Sequence, residues 1–261
     1  MNVAALVEYD GTRFAGFQRQ SADKGPTVQG AIEAAIEGVA GEAVTIEAAG
    51  RTDSGVHASG QVVNFHVAPR LDAATWQRAL NALLPEDVAV RAACVASDSF
   101  RARWDALARS YRYRLLCDPV RSPLRERFAW RVSRRLDAEA MAAAAALLAG
   151  THDFGAFGSS PRDRPEVGYR GHTVRTLTNV SCRQPPEAAD ELECCFTADA
   201  FLTGMVRRLV GTLVLVGQGR LSVAEFGRIL ETREKAHPGA AAPARGLCLT
   251  GVAYAPGVFD W

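Results

Sequence analysis

The alternation of apolar and polar residues in the first part of the chain predicts six secondary-structure elements. Short apolar runs predict strands, and apolar residues at helical spacing predict two helices. Thr27 and Asp72 are residue types that cap helix starts, while Gly41 and Pro85 are types that end helices. The predicted order is strand, helix, strand, strand, helix, strand, over residues 3–9, 28–40, 43–49, 61–67, 73–84 and 88–95.

The rest of the chain shows a similar order without a recognisable sequence repeat. Its predicted elements are a strand at 110–117, a helix from Asp137 to Gly150, strands at 172–183 and 191–197, helices at 203–217 and from Ser222, and a strand at 247–254. Two β-α-β-β-α-β units predict an α+β fold of two ferredoxin-like halves, with their antiparallel sheets side by side around a central cleft. We expect domains at 1–105 and 106–261. The long connection at 154–171 is typical of a mobile or functional loop.

The composition is that of a folded soluble protein, with 48% hydrophobic and 23% charged residues among 261. No run of about eighteen apolar residues is present, and the first residues lack the basic start of a signal peptide. We therefore expect a cytoplasmic protein with no membrane segment. The six cysteines show no C-x-x-C spacing, which favours reduced thiols and indicates neither a zinc site nor a disulfide framework.

Arginine is concentrated in one stretch, although the net charge is only +1. Residues 101–135 contain eleven arginines and three acidic residues. Such a local excess of positive charge is typical of a phosphate-binding surface. A solvated face in an arginine-rich protein is the alternative interpretation.

Asp53 stands in a glycine-punctuated loop between two predicted strands, in the segment Gly-Arg-Thr-Asp-Ser-Gly-Val-His at residues 50–57. The glycines allow a sharp turn and the close approach of a bulky ligand, so that a carboxylate here could act on that ligand. Asp-Ser-Gly is also common turn chemistry, and taken alone it favours an aspartate that only forms the turn. For His57 a structural histidine with a satisfied hydrogen bond is favoured.

The helix predicted at 203–217 is apolar nearly all round, which is typical of a buried helix. Arg207 projects from it, and its neighbours on the helix offer no carboxylate. Because an unpaired buried arginine is costly, its partner is expected from elsewhere in the chain. Asp53 is one candidate among several.

Tyr111 and Tyr113 alternate with Arg112 and Arg114 along the strand predicted at 110–117. The tyrosines therefore share one face of the strand and the arginines the other. An aromatic face backed by guanidinium groups suits stacking on an extruded base. Aromatic core packing with a solvated outer face explains the pattern equally well.

Five stretches together resemble the TruA family of tRNA pseudouridine synthases, in family order and over essentially the whole chain. The most specific is Gly-Arg-Thr-Asp-x-Gly-Val-His around Asp53. The five stretches are residues 8–20, 49–62, 100–113, 200–211 and 246–249.

The resemblance implies roles for individual residues. Asp53 matches the catalytic aspartate, Tyr111 matches the tyrosine that stacks on the target uracil, and Arg207 matches the basic residue that pairs with the catalytic carboxylate. Arg51 matches the arginine that fills the gap left by the flipped base. Contacts with RNA are further expected from four arginines of the motifs and the basic stretch, Arg101, Arg103, Arg112 and Arg114.

The chain departs from the family pattern at a few positions. Phe17 stands where the family usually has tryptophan, Ser54 stands where it usually has alanine, and Thr203-Gly204 replaces a common His-His pair. The loop at 159–170 lacks the usual basic, cysteine-containing pattern. The chemistry implied for Asp53 is unaffected by these departures.

The resemblance implies isomerisation of uridine to pseudouridine in the anticodon stem-loop of tRNA, at positions 38, 39 and 40, by a homodimer. No redox step and no water enters this reaction, so no cofactor and no metal is expected. Asp53 could attack C1′, attack C6 or remove a ribose proton, and the sequence does not choose among these routes.

Two other functions fit parts of the pattern. A non-catalytic RNA-binding protein would keep the basic stretch and Tyr111 but would not need Asp53. A glycoside hydrolase also attacks an anomeric carbon, but it normally uses two carboxylates, and no second one lies near Asp53 in the sequence.

Overall fold

The computed structural model describes residues 1–159, 172–232, 239–259 and 261. These residues form two compact units, one comprising Met1–Arg109 with Cys248–Trp261 and the other comprising Ser110–Leu247. The domains expected at 1–105 and 106–261 stay a prediction.

Strands and helices alternate along the described residues. In chain order they are β1 (Asn2–Tyr9), α1 (Val28–Ala40), β2 (Glu47–Ala48), β3 (His57–His66), α2 (Ala73–Leu83), β4 (Val88–Ala96), β5 (Ala108–Cys117), β6 (Trp130–Val132), α3 (Ala138–Ala146), β7 (Gly150–Asp153), β8 (Val174–Arg183), β9 (Glu191–Ala198), α4 (Met205–Gly217), α5 (Val223–Thr232) and β10 (Leu247–Ala253). The predicted α+β class is confirmed.

The first unit has the strand order β4-β1-β3, with β1 antiparallel to both neighbours. On its other edge β3 pairs with β2 in the antiparallel and with β10 in the parallel direction. Together with α1 and α2, the first four strands follow the β-α-β-β-α-β order that the apolar pattern predicts.

Both faces of this first sheet are covered. On one face Phe65 of β3 meets Trp76 of α2 edge-on, with ring centroids 5.4 Å apart. On the opposite face Phe100 packs against Tyr254 and Phe259, at centroid distances of 5.3 and 5.1 Å. Because apolar burial on both sides stabilises the sheet, the loops at its strand ends rest on a fixed base.

The helix ends of the first unit follow the predicted signals. The Thr27 hydroxyl accepts a hydrogen bond from the Gly30 amide at 3.2 Å, and the Asp72 carboxylate accepts one from the Thr75 amide at 2.7 Å. Gly41 ends α1 in the left-handed region, with φ 77°. Each N-cap of this kind is worth about 1 kcal/mol.

The second unit has the strand order β5-β9-β8-β7, with the short β6 parallel to β5. Its central helix is α4, in which ten of the thirteen residues are buried. The expectation of a buried helix here is confirmed. Helices α3 and α5 both contact α4, so the side chains of α4 sit in the core of this unit.

Several elements differ from the sequence-based prediction. The strand predicted at 61–67 begins four residues earlier, at His57, and ends at His66. The strand predicted at 43–49 is reduced to Glu47–Ala48. The helix predicted from Asp137 to Gly150 ends at Ala146, since Gly150, with φ 98°, begins the unpredicted strand β7. The short β6 was also not predicted.

The expectation that all six cysteines are reduced is wrong for one pair. Cys182 and Cys194 form a disulfide across β8 and β9, where they lie directly opposite each other with Cα atoms 4.1 Å apart. The register of two antiparallel strands decides which residues face each other. A spacing of twelve residues in the sequence does not reveal that register.

None of the helices in the described part of the chain combines the length and the apolar character that crossing a bilayer requires. The connection predicted at 154–171 falls mostly outside the described residues, which resume at 172.

Candidate active site

The loop between β2 and β3 carries Asp53 at its tip. The Val56 amide donates to the Asp53 carbonyl at 3.1 Å and closes the turn, while Gly55 adopts the left-handed region with φ 77°. The Asp53 side chain is half-buried. The turn chemistry expected of Asp-Ser-Gly is present, and it is made by the backbone of Asp53.

Segment 9–17, which begins at the last residue of β1, forms hydrogen bonds with this loop. The Phe17 amide donates to the Thr52 carbonyl at 3.0 Å. The Ser54 hydroxyl donates to the Phe14 carbonyl at 3.2 Å. Both chain neighbours of Asp53 are therefore bonded to the same segment, which fixes the backbone that bears the carboxylate.

A buried hydroxyl pair adds to this support. Tyr9 Oη and Thr52 Oγ1 lie 2.7 Å apart, and Tyr9 is only 2% exposed. Because a buried hydroxyl without a partner is costly, this pair favours one orientation of Thr52.

Two glycines let the segment approach the loop closely. A Cβ at Gly11 would lie 2.0 Å from the Val56 carbonyl oxygen, and one at Gly16 would lie 3.1 Å from the Thr52 carbonyl oxygen. Gly16 also has φ 112°, which side chains rarely adopt. The sequence showed these glycines as part of a motif but gave no reason for them. Their reason is contact with the Asp53 loop.

His57 is a structural residue, as expected. It is 5% exposed, and its Nδ1 accepts a hydrogen bond from the Gly11 amide at 3.0 Å. The Asp10 carboxylate lies 3.1 Å from the same nitrogen. The histidine thereby ties the start of β3 to segment 9–17.

The alternation predicted along β5 is confirmed. Tyr113 is fully buried and donates to the Pro243 carbonyl at 2.7 Å, and burial raises the pKa of its hydroxyl far above the ordinary value. Tyr111 is 8% exposed and meets Phe201 edge-on at 5.1 Å. Both tyrosines are thus buried, Tyr113 completely and Tyr111 nearly so.

The arginines on the other face of β5 have acidic partners. Arg114 donates to both carboxylate oxygens of Glu191, at 2.8 and 3.1 Å. Arg112 lies 3.6 Å from Glu193. Both carboxylates belong to β9, so the positive charge that the sequence shows here is largely balanced across the sheet. The RNA contacts expected of these two arginines stay a prediction.

Arg207 lies on the first turns of α4 and is half-buried. Its Nε donates to the Ala242 carbonyl at 2.8 Å, and its own carbonyl accepts from the Ala242 amide at 2.9 Å. The chain around Ala242 can pass this close because residue 211 is a glycine. A Cβ at Gly211 would lie only 2.0 Å from the Ala240 carbonyl oxygen. The orientation of Arg207 is therefore fixed by the backbone on both sides.

The arginines that precede β5 differ in their partners. Arg101 donates to both oxygens of Glu47, at 2.9 and 3.2 Å. Arg51 is exposed, and its pKa is lowered by partial burial and by the charge of Arg103. Trp104, which the sequence analysis did not single out, is 63% exposed beside these residues. The loop expected at 159–170 lies outside the described residues beyond Ser159.

Comparison with known proteins identifies the family. The family model for tRNA pseudouridine synthase matches residues 5–105 and 144–255. This chain belongs to the tRNA pseudouridine synthase family.

Three relatives named tRNA pseudouridine synthase A illustrate the similarity. The relative from Chloroflexus aurantiacus is 43% identical over 262 residues, which cover 99% of this chain and 91% of the relative. The relative from Syntrophotalea carbinolica is 41% identical and covers 97% of this chain and 96% of its own length. The relative from Methylobacterium nodulans is 44% identical, with coverage of 95% and 94%.

The tRNA pseudouridine synthase model matches some of the candidate residues and leaves out others. Its two stretches include the Asp53 loop, segment 9–17 and Arg207. They leave out residues 106–143, and with them Tyr111. The assignment of Tyr111 therefore depends on the local resemblance of its strand and on the nearly full-length relatives.

Proposed function

We propose that this protein isomerises uridine to pseudouridine in tRNA and that the carboxylate of Asp53 is the catalytic group. Membership of the tRNA pseudouridine synthase family supports the reaction. One observation supports Asp53 in particular: its loop is held by hydrogen bonds to Thr52 and Ser54, its two neighbours, while its side chain stays half-exposed. A carboxylate held in this way is positioned before the substrate arrives.

The reaction rearranges bonds without changing composition. The C1′–N1 bond breaks, a C1′–C5 bond forms, C5 loses a proton and N1 gains one. Asp53 can act at C1′, at C6 or on a ribose proton, and each route requires an ionised carboxylate in a fixed place. Partial burial limits the competition from water for this group.

Arg207 is proposed to stabilise the charge of that carboxylate. Its guanidinium is oriented by the bond from Nε to Ala242, and it is half-buried, which strengthens its electrostatic effect. A cation held near Asp53 favours the ionised carboxylate.

Tyr111 is proposed to stack on the flipped uracil. Extruding a base costs a few kcal/mol, and stacking on an aromatic ring recovers part of this cost. The edge-on contact with Phe201 supports a fixed orientation of the Tyr111 ring.

The substrate is proposed to be the anticodon stem-loop, at positions 38, 39 and 40, and the working form a cytoplasmic homodimer. Arg51 is proposed to fill the gap that the flipped base leaves. These assignments follow from the family resemblance of the motifs. The relatives named tRNA pseudouridine synthase A support only tRNA as the substrate.

The experiment measures tritium release from tRNA labelled at C5 of uridine. We expect release by the wild type and none by Asp53→Asn, which keeps the size of the side chain but removes the charge. Binding of tRNA should stay within a few-fold, because Asp53 is one carboxylate in a large contact surface. Asp72→Asn is the matched control, since asparagine also caps a helix and this residue caps α2.

Equal release by wild type and Asp53→Asn would remove Asp53 from the mechanism. Binding of tRNA without any release by the wild type would instead favour a non-catalytic RNA-binding protein.

A further inference from the structure

The indole ring of Trp104 lies on the surface of the first unit with two guanidinium groups beside it. The ring is 63% exposed. The Cζ atoms of Arg101 and Arg103 lie 5.7 and 5.1 Å from its centroid, within the range of cation–π contacts. Most of the indole surface is therefore accessible to a planar ligand, and positive charge lies beside it.

The two arginines beside the ring differ in charge balance. Arg101 donates to Glu47 through two of its three nitrogens, Nε and Nη2. Arg103 forms no ion pair with any residue that the structure describes. Arg51, whose pKa is lowered in part by the charge of Arg103, has no acidic partner among the described residues either. Arg103 and Arg51 are therefore two neighbouring positive charges without an ion-paired carboxylate among the described residues.

The turn that carries Trp104 is rigidly built. Arg109 donates to the carbonyl groups of Arg103 and Ala106, at 2.6 and 2.9 Å, and also to that of Ala49. The Asp105 carboxylate accepts from the Arg101 amide at 2.8 Å. Because Ala49 directly precedes the Asp53 loop, Arg109 ties the Trp104 turn to the base of that loop.

We propose that Trp104 and Arg103 form a nucleotide subsite for the RNA substrate, in which Trp104 stacks on an unpaired base and Arg103 binds an adjacent phosphate. The inference rests on the proposed tRNA substrate; it adds Trp104 as a stacking surface and gives Arg103, which is already expected to contact RNA, a phosphate beside the stacked base. Arg51 contributes a second positive charge near Arg103.

A single-stranded or splayed nucleotide is the ligand that fits both features. Its base offers a flat face to the indole, and its phosphate offers the anion that Arg103 lacks. An acidic protein surface would satisfy the charge but would leave the exposed face of the ring without a planar partner. A second copy of this chain is the remaining occupant, and the experiment separates it from RNA.

The test measures binding of an unmodified tRNA transcript at several salt concentrations. Trp104→Ala should weaken binding by at least about fivefold, which corresponds to the lower end of base–aromatic stacking. Trp104→Phe keeps an aromatic face and should restore most of the affinity. The intrinsic fluorescence that Trp104 contributes, measured as the difference between wild type and Trp104→Phe, should be quenched by the transcript.

Arg103→Ala and Arg101→Ala are a matched pair, because each removes one charge beside the same ring. Affinity falls as salt rises, so the slope of log affinity against log salt is negative. Arg103→Ala should make this slope shallower by about 0.7 to 0.9, the value for one phosphate contact. Arg101→Ala should change the slope less, since Glu47 already holds this guanidinium.

Unchanged affinity in Trp104→Ala, or equal slopes for the two arginine variants, would overturn the subsite. So would a loss of affinity that tracks a change in oligomeric state, measured by light scattering, because Trp104 would then contact a second copy. These readouts are independent of catalysis. If wild type binds the transcript but releases no tritium, the proposed reaction fails while the subsite is still tested.

Discussion

Replacing Gly11 by alanine tests whether segment 9–17 positions Asp53. The added Cβ would lie 2.0 Å from the Val56 carbonyl oxygen and 2.6 Å from its carbon, whereas ordinary contact begins at 3.4 Å. Both sides of this clash are backbone, so no side chain can rotate away. The loop that contains Asp53 and the turn at Gly11 must separate by about 1.4 Å to remove the overlap.

The size of the effect follows from that displacement. Overpacking of a well-packed site costs about 1–3 kcal/mol of unfolding free energy. A misplacement of about 1 Å in a catalytic group can lower the rate by about 100-fold. We therefore expect Gly11→Ala to stay folded at moderate temperature but to isomerise uridine about 100-fold more slowly.

The assay is single-turnover tritium release with saturating enzyme, at a temperature where circular dichroism shows the variant folded. Gly217→Ala is the control. Its Cβ would lie 2.6 Å from the sulfur of Met141, in the second unit. This variant should lose less stability than Gly11→Ala, because the Met141 side chain can move, and it should keep its rate within a few-fold, because the overlap lies between α3 and α4.

A Gly11→Ala enzyme with a lowered melting temperature and the wild-type rate would refute the reasoning. Segment 9–17 would then support the fold without positioning the carboxylate.

Two further predictions concern stability. Tyr9→Phe removes the hydroxyl that pairs with Thr52, and we expect a loss of about 1–2 kcal/mol in urea unfolding; an unchanged midpoint would contradict it. Burial alone would raise the pKa of Glu191, but hydrogen bonds from Arg114 and Arg125 lower it in the folded state. The resulting stability is present above the ordinary carboxyl pKa and is lost as the pH falls through the folded value. The stability difference between wild type and Glu191→Gln, measured by urea unfolding, should therefore shrink below about pH 4.5; a constant difference from pH 7 to pH 3 would be inconsistent with this.

Much of the fold could be predicted from local sequence signals. The caps at Thr27 and Asp72 and the glycine after α1 each act within one turn of chain, so the residues reveal them directly. The alternation along β5 likewise follows from the period of a strand. Strand register is different, because it depends on residues far apart in the sequence, and the Cys182–Cys194 disulfide was missed for this reason.

The candidate site likewise combines features that local sequence predicts with features that depend on distant residues. Asp53 could be singled out from its glycine-rich loop and from the family resemblance. The support that segment 9–17 gives the loop could not be predicted, because it consists of hydrogen bonds between residues more than thirty positions apart in the sequence. Gly11 and Gly16 are required because the backbone of the Asp53 loop packs closely against them. The sequence alone does not show that contact.

The arginines of residues 101–135 show why counting charges in the sequence does not predict which of them bind phosphate. The stretch at 101–135 has a large excess of arginine, yet in the folded chain Arg101, Arg112 and Arg114 each face a carboxylate outside the stretch. An anion that binds there must compete with a partner already in place, at the cost of leaving a carboxylate uncompensated. Arg103 has no such competitor among the described residues. The contribution of each arginine to phosphate binding should therefore depend on whether it is already paired with a carboxylate. Arg103 should contribute more than Arg101, Arg112 or Arg114, a difference that the sequence alone does not show.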